Sequence, residues 1–137
     1  MKLNLKDLVV NATEAQFEFP LCPGMKVTIA YTNKVLLNNI RTSAMIQKFD
    51  KETGQPYQDL DTEKYLDNYI KAVVKGWSGF TVEHLNDMVL IDKTDLDMDK
   101  EIDFDHDTAV FLMNEASAFD TWVVTTAKQL ENFRKQK

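Results

Sequence analysis

The sequence predicts an α+β fold, predominantly α-helical, in which a short N-terminal β-hairpin is followed by four or more helices. Apolar residues alternate with a period of two on either side of a Pro/Gly turn before Tyr31, and from Asn33 onward they recur at helical spacing. The chain of 137 residues is 44% hydrophobic and 28% charged. Those proportions suit one globular domain over 1–137 and argue against disorder or a fibre.

The hairpin is read at about 14–31. Phe17 and Phe19 share one face, Pro20-Leu21-Cys22-Pro23-Gly24 punctuates, and Lys26-Val27-Thr28-Ile29-Ala30-Tyr31 resumes the alternation. A first helix is expected at about 33–49, capped by Asn33 and carrying Leu37, Ile40, Ala44 and Phe49 on its apolar side. Residues 50–59 read as a polar loop. A second helix follows at about 61–76, capped by Asp61, with Leu66, Tyr69, Ile70, Val73 and Trp77 as one stripe and the glycines of Gly76-Trp77-Ser78-Gly79 as its stop. Thr81-Val82-Glu83-His84-Leu85 reads as a short helical turn.

Residues 92–107 are acidic and unsuited to folding alone. Two helices are expected to close the chain. One runs over about 106–116 with Ala109, Leu112, Met113 and Ala116 on one face. The other runs over about 117–135 with Phe119, Trp122, Val123, Thr126, Leu130 and Phe133 as its stripe. Ser117 with Asp120 three residues on approximates a capping box, and Arg134 and Lys135 complement the C-terminal dipole. Trp77 and Trp122 are both expected in the core.

Charge and hydropathy remove several functional classes. The net charge is −6, and the only basic cluster is Arg134, Lys135 and Lys137. Nucleic acid and anionic membrane are therefore poor partners. The longest apolar runs, Met88-Val89-Leu90-Ile91 and Ala109-Val110-Phe111-Leu112-Met113, fall far short of the roughly 20 residues of a membrane span. Met1-Lys2-Leu3-Asn4-Leu5-Lys6-Asp7 has no apolar leader region, and Cys22 stands alone, so a cytoplasmic home is expected.

No residue set carries an enzyme motif, and neither a cofactor nor a metal is expected. Asp95, Asp97 and Asp99 alternate as in a calcium loop. Counted from Asp95, however, the sixth position is Lys100 and the twelfth is His106, where glycine and a bidentate glutamate are needed. His84 and His106 have no cysteine or second histidine at zinc spacing. Asp105-His106-Asp107 reads as a helix start, with Asp105 or Asp107 capping. Cys22 could act as a nucleophile only with a distant histidine, and a packed thiol is the simpler reading. The expectation is a non-enzymatic, protein-binding domain whose contact residues sequence does not separate from its core.

Two segments carry a family resemblance. One is Val74-Lys75-Gly76-Trp77-Ser78-Gly79-Phe80 with Thr81-Val82-Glu83-His84-Leu85. The other is Asp107-Thr108-Ala109-Val110-Phe111-Leu112 with Phe119-Asp120-Thr121-Trp122-Val123 and Leu130-Glu131-Asn132-Phe133. In these landmarks, and in the N-terminal hairpin, the chain resembles the tail assembly chaperones of long-tailed bacteriophages over residues 16–135. The acidic stretch 92–105 is the least family-like part.

The resemblance implies a protein that binds the helical tape measure protein and keeps it soluble until the tail tube forms. Such a protein acts in the host cytoplasm and is absent from the mature virion. It further implies a frameshifted longer form that recruits tail tube protein. Self-association through the open edge of the hairpin is a related expectation. The alternatives are a structural virion component, such as a head–tail connector or tail-terminator protein, and a small enzyme using Cys22 or a carboxylate cluster.

Overall fold

The computed structural model describes residues 4, 5, 8 and 13–134. Most of the stretch read for a leader, and Lys135 and Lys137 of the basic cluster, lie outside them. Five strands and six helices are present among the described residues, in the order β1 (Glu14–Glu18), β2 (Lys26–Ala30), α1 (Lys34–Ser43), β3 (Met45–Phe49), β4 (Pro56–Leu60), α2 (Thr62–Val73), β5 (Val74–Ser78), α3 (Val82–Met88), α4 (His106–Glu115), α5 (Ser117–Lys128) and α6 (Glu131–Arg134). The fold is therefore mixed. The expected hairpin followed by a predominantly helical remainder is corrected by three further strands threaded between the helices.

β1 and β2 pair antiparallel, with Ala15 opposite Ile29 and Phe17 opposite Val27. The turn between them is closed by Phe19 N–H on the Met25 carbonyl at 2.9 Å. β2 is not left with an open edge. It is the central strand of a three-stranded sheet in the order β1-β2-β5, with Trp77 of β5 opposite Val27. Directly opposed residues share a face. Ala15, Val27, Ile29 and Val74 accordingly belong to the core cluster, with Phe17 and Trp77 packed against it, while Glu14, Gln16, Glu18, Lys26, Thr28 and Ser78 make the polar face.

β5 occupies residues assigned above to the end of a helix. α2 stops at Val73, and Val74 is already extended at φ −92°, ψ 105°. The register slips between Thr28 and Ile29, so that Thr28 faces Gly76 and Ile29 faces Val74. Lys75 is thus the additional residue of a β-bulge. A buried hydrophobic edge on β2 needs a strand partner, and the β-branched pair Val73-Val74 leads directly into one. Gly76 does not stop the helix.

The helix expected over 33–49 also ends early, at Ser43, and the polar loop expected over 50–59 is the second half of a hairpin. β3 and β4 form a separate two-stranded antiparallel sheet, with Phe49 opposite Pro56 and Lys48 opposite Tyr57. Its turn is built by Asp50, whose carboxylate accepts from Glu52 N–H at 2.8 Å, and by Gly54 at φ 72°. Phe49 is exposed there and does not lie on a buried helical stripe.

The expected caps Asn33 and Asp61 are in place, accepting from Leu36 N–H at 2.8 Å and Lys64 N–H at 3.2 Å. Asp105 caps α4, accepting from Thr108 N–H at 2.7 Å. The Ser117–Asp120 capping box does not form. Ala116 is the N-cap of α5 and makes no side-chain bond. The helix expected over 117–135 is broken after Lys128, leaving α6 as a short turn whose Phe133 packs edge-on against Phe17, with centroids 5.5 Å apart. α2 and α5 cover the core face of the sheet, with α1 and α4 packed on α2, and α4 also on α5.

Candidate functional site

The space between α1, α2 and α5 forms an open groove of about 180 Å³, lined by Leu37, Tyr65, Leu66, Tyr69, Asp120, Val124 and Lys128. Helical periodicity places these side chains together. Tyr65 and Tyr69 are four apart on α2, and Asp120, Val124 and Lys128 follow each other at four-residue steps along α5. Leu37 reaches the groove from α1, which Asn33 starts. The Tyr65 and Tyr69 rings stack at 22° with centroids 6.3 Å apart.

Two polar residues that line the groove have side chains without partners among the described residues. Tyr69 is 5% exposed, and its buried hydroxyl has no hydrogen-bond partner among the described residues. Burial, followed by the charges of Tyr65 and Asp120, pushes its pKa up. Asp120 is partly buried, and burial pushes its carboxyl up as well. Among the described residues it takes part in none of the ion pairs.

Leu66 also borders a second, more polar depression of about 610 Å³ between the start of α2 and α4, lined by Asp61, Glu63, Lys64, Asp67, Val110 and Asn114. The wall between α2 and α4 is pinned by Asp67. One of its oxygens accepts from His106 Nε2 and the other pairs with Lys71 Nζ at 3.2 Å. These partners hold the Asp67 carboxyl below the usual range, the His106 bond most strongly.

The residues weighed for chemistry take other places. Cys22 and His84 do come together, but the thiol donates to the His84 carbonyl at 3.8 Å and not to the ring. The imidazole Nδ1 accepts from Thr81 N–H at 3.2 Å, while Thr81 Oγ1 accepts from His84 N–H at 3.3 Å. His84 thus completes a capping box on α3. Burial, with Asp87 adding to it, pushes the Cys22 thiol up to about 11, the reverse of nucleophile activation.

In the acidic stretch, Asp97 Oδ1 accepts from Asp99 N–H at 3.0 Å and Asp92 Oδ1 from Thr94 N–H at 3.0 Å. Asp95 takes a left-handed conformation at φ 59°. Among the described residues no three His, Cys, Asp or Glu side chains converge as a metal-binding group.

The acidic stretch is fastened by its C-terminal half. Ile102 N–H bonds the Phe80 carbonyl at 2.7 Å, Val82 N–H the Lys100 carbonyl at 3.0 Å, and Glu83 N–H the Met98 carbonyl at 2.9 Å. Trp77 Nε1 donates to the Ile102 carbonyl at 2.9 Å, and Phe104 stands edge-on to the indole with centroids 4.8 Å apart. Trp77 and Trp122 are both packed against the core and only partly buried. Trp77, among the aromatic landmarks, is therefore architectural.

Sequence periodicity reveals only part of the groove. Leu37, Leu66 and Tyr69 fall on the apolar stripes and Asp120 reads as part of a helix cap, whereas Tyr65, Val124 and Lys128 carry no signal of their own.

The family model described as YdaY prophage protein matches residues 26–137, which include every residue of the groove. No curated protein and no solved structure matches the chain.

Proposed function

The chain belongs to the YdaY prophage protein family, and from this phage-related origin we propose that it is a tail assembly chaperone that binds the tape measure protein. The observation that carries the reading is the open groove of Leu37, Tyr65, Leu66, Tyr69 and Val124 between three helices. An amphipathic helix docks by laying side chains at i, i+3, i+4 and i+7 into such a groove. Each apolar side chain fully buried contributes roughly 1.5–3 kcal/mol.

The net charge of −6 supports the same reading, because an acidic coat makes separate chaperone–client complexes repel one another and stay dispersed. Among the described residues no helix is long and apolar enough to cross a membrane. In this proposal the protein is not an enzyme. It acts in the host cytoplasm, leaves before the virion is complete, and through a frameshifted longer form brings tail tube protein to the client. Copies associate along the client through the outer edge of β1, since β5 already covers β2.

Co-expression with the tape measure protein of the same phage tests the proposal. The tape measure protein is expected to become soluble and to co-purify. Unchanged solubility with no complex recovered contradicts it, and stoichiometric presence of the chain in purified virions favours a structural component instead.

A further inference from the structure

We propose that the groove between α1, α2 and α5 receives an arginine side chain from its helical partner, with the guanidinium bound by Asp120 and the Tyr69 hydroxyl. The inference deepens the chaperone reading and rests on it for the identity of the partner. At about 180 Å³ the groove is smaller than the roughly 300–1,000 Å³ of small-molecule sites, and suits one long side chain. Its apolar lining, Leu37 and Val124, fits the aliphatic stem of such a chain.

The polar groups select the head. Asp120 takes part in no ion pair among the described residues. Tyr69 is 5% exposed with its hydroxyl unpartnered among the described residues, although buried polar groups are ordinarily satisfied. A carboxylate and a phenol oxygen together ask for several N–H donors on one cation. Guanidinium has five in a planar fork, can bond a carboxylate bidentately and stays charged. Lys128 lies eight residues from Asp120 on α5, about 12 Å along the helix axis. Its like charge disfavours a cation at that end and directs the guest toward Asp120.

The test is a titration of ¹⁵N-labelled protein with N-acetyl-arginine methylamide, compared with the isosteric but neutral citrulline derivative. Saturable shifts confined to Leu37, Tyr65, Tyr69, Asp120 and Val124 are expected. Binding should be about tenfold weaker for citrulline and weakened equally by Asp120→Asn, given the strength of a charge-assisted bond. Equal binding of both derivatives, no localised shift, or binding unchanged in the variant overturns the proposal. A far-UV spectrum like that of the wild type confirms that the variant is folded.

Co-expression separates the two readings. If wild type and Asp120→Asn recover the tape measure protein equally well, the arginine site is wrong and the chaperone stands. If neither recovers it while the arginine derivative binds selectively, the site stands and the chaperone reading falls.

Discussion

The carbonyl oxygen of Gly24 lies where a β-carbon on Gly79 would stand, deep inside van der Waals contact. Gly79 also holds φ at 72°, a region that a non-glycine residue enters at roughly 1–2 kcal/mol. The two glycines pack the β1–β2 turn against the exit from β5. Gly54 has the same φ of 72° but nothing near its missing β-carbon. Gly54→Ala should therefore cost about 1 kcal/mol, and Gly79→Ala well over 2 kcal/mol, because strain and a backbone clash add. Equal melting temperatures for the two variants would show that the close approach does not exist.

The Asp67 clamp on α2 and α4 predicts acid sensitivity. His106, and then Lys71, hold this carboxyl below its ordinary range. A depressed folded-state pKa gives stability that is present above the unfolded value of about 4 and is lost as the pH falls through the folded one. The melting-temperature gap between wild type and Asp67→Asn should accordingly be steady from neutral pH to about 4 and close below it. A gap that persists undiminished to strong acid would contradict the clamp.

Cys22 is fully buried with its thiol pushed up to about 11. Native protein at pH near 8 should react with a disulfide reagent such as DTNB far more slowly than a free thiol, whose pKa is about 8.5, and should react completely once denaturant opens the turn. Rapid stoichiometric labelling of the native protein would revive the nucleophile reading.

Trp77 fastens the acidic strap through Ile102, its indole N–H donating at 2.9 Å. Trp77→Phe keeps a ring for Phe80 and Phe104 but removes the bond, and should cost about 1 kcal/mol. Trp77→Ala, which also empties the aromatic cluster, should cost about 3 kcal/mol or more. Amide exchange of Ile102 and its neighbours should accelerate in both variants. Exchange unchanged from wild type would mean that the strap is held without the indole.

The sequence made legible those features that rest on local chemistry. The alternation through Phe17 and Val27, the Pro/Gly turn, and the caps Asn33 and Asp61 each carry their own signal, and each is found, while the choice of Asp105 over Asp107 as the cap of α4 comes from the structure. β5 was hidden because Leu66, Tyr69, Ile70, Val73 and Trp77 keep a helical spacing across the junction at Val74. Only the need of β2 for a second partner, a long-range demand, breaks the helix there. β3 was masked likewise, since Leu37, Ile40, Ala44 and Phe49 continue one stripe. β4, with Tyr57, Gln58 and Asp59, lies in an arm too exposed to impose a burial pattern.

The groove was less legible than the core. Tyr69 reads as an ordinary stripe residue, and only the packed structure leaves its hydroxyl without a partner among the described residues. Asp120 mimics the third position of a capping box, and only the extended Ala116 shows that the cap is backbone alone.

Recovery of the tape measure protein by groove variants tests the central claim most directly. Leu37→Glu and Val124→Glu each place a carboxylate on a groove wall, and Thr125→Glu places one on the exposed side of α5 as a control. The account predicts that wild type and Thr125→Glu pull down the tape measure protein from a co-expression lysate while both groove variants, folded by circular dichroism, recover little of it. Equal recovery by all four proteins, or by none, would contradict it.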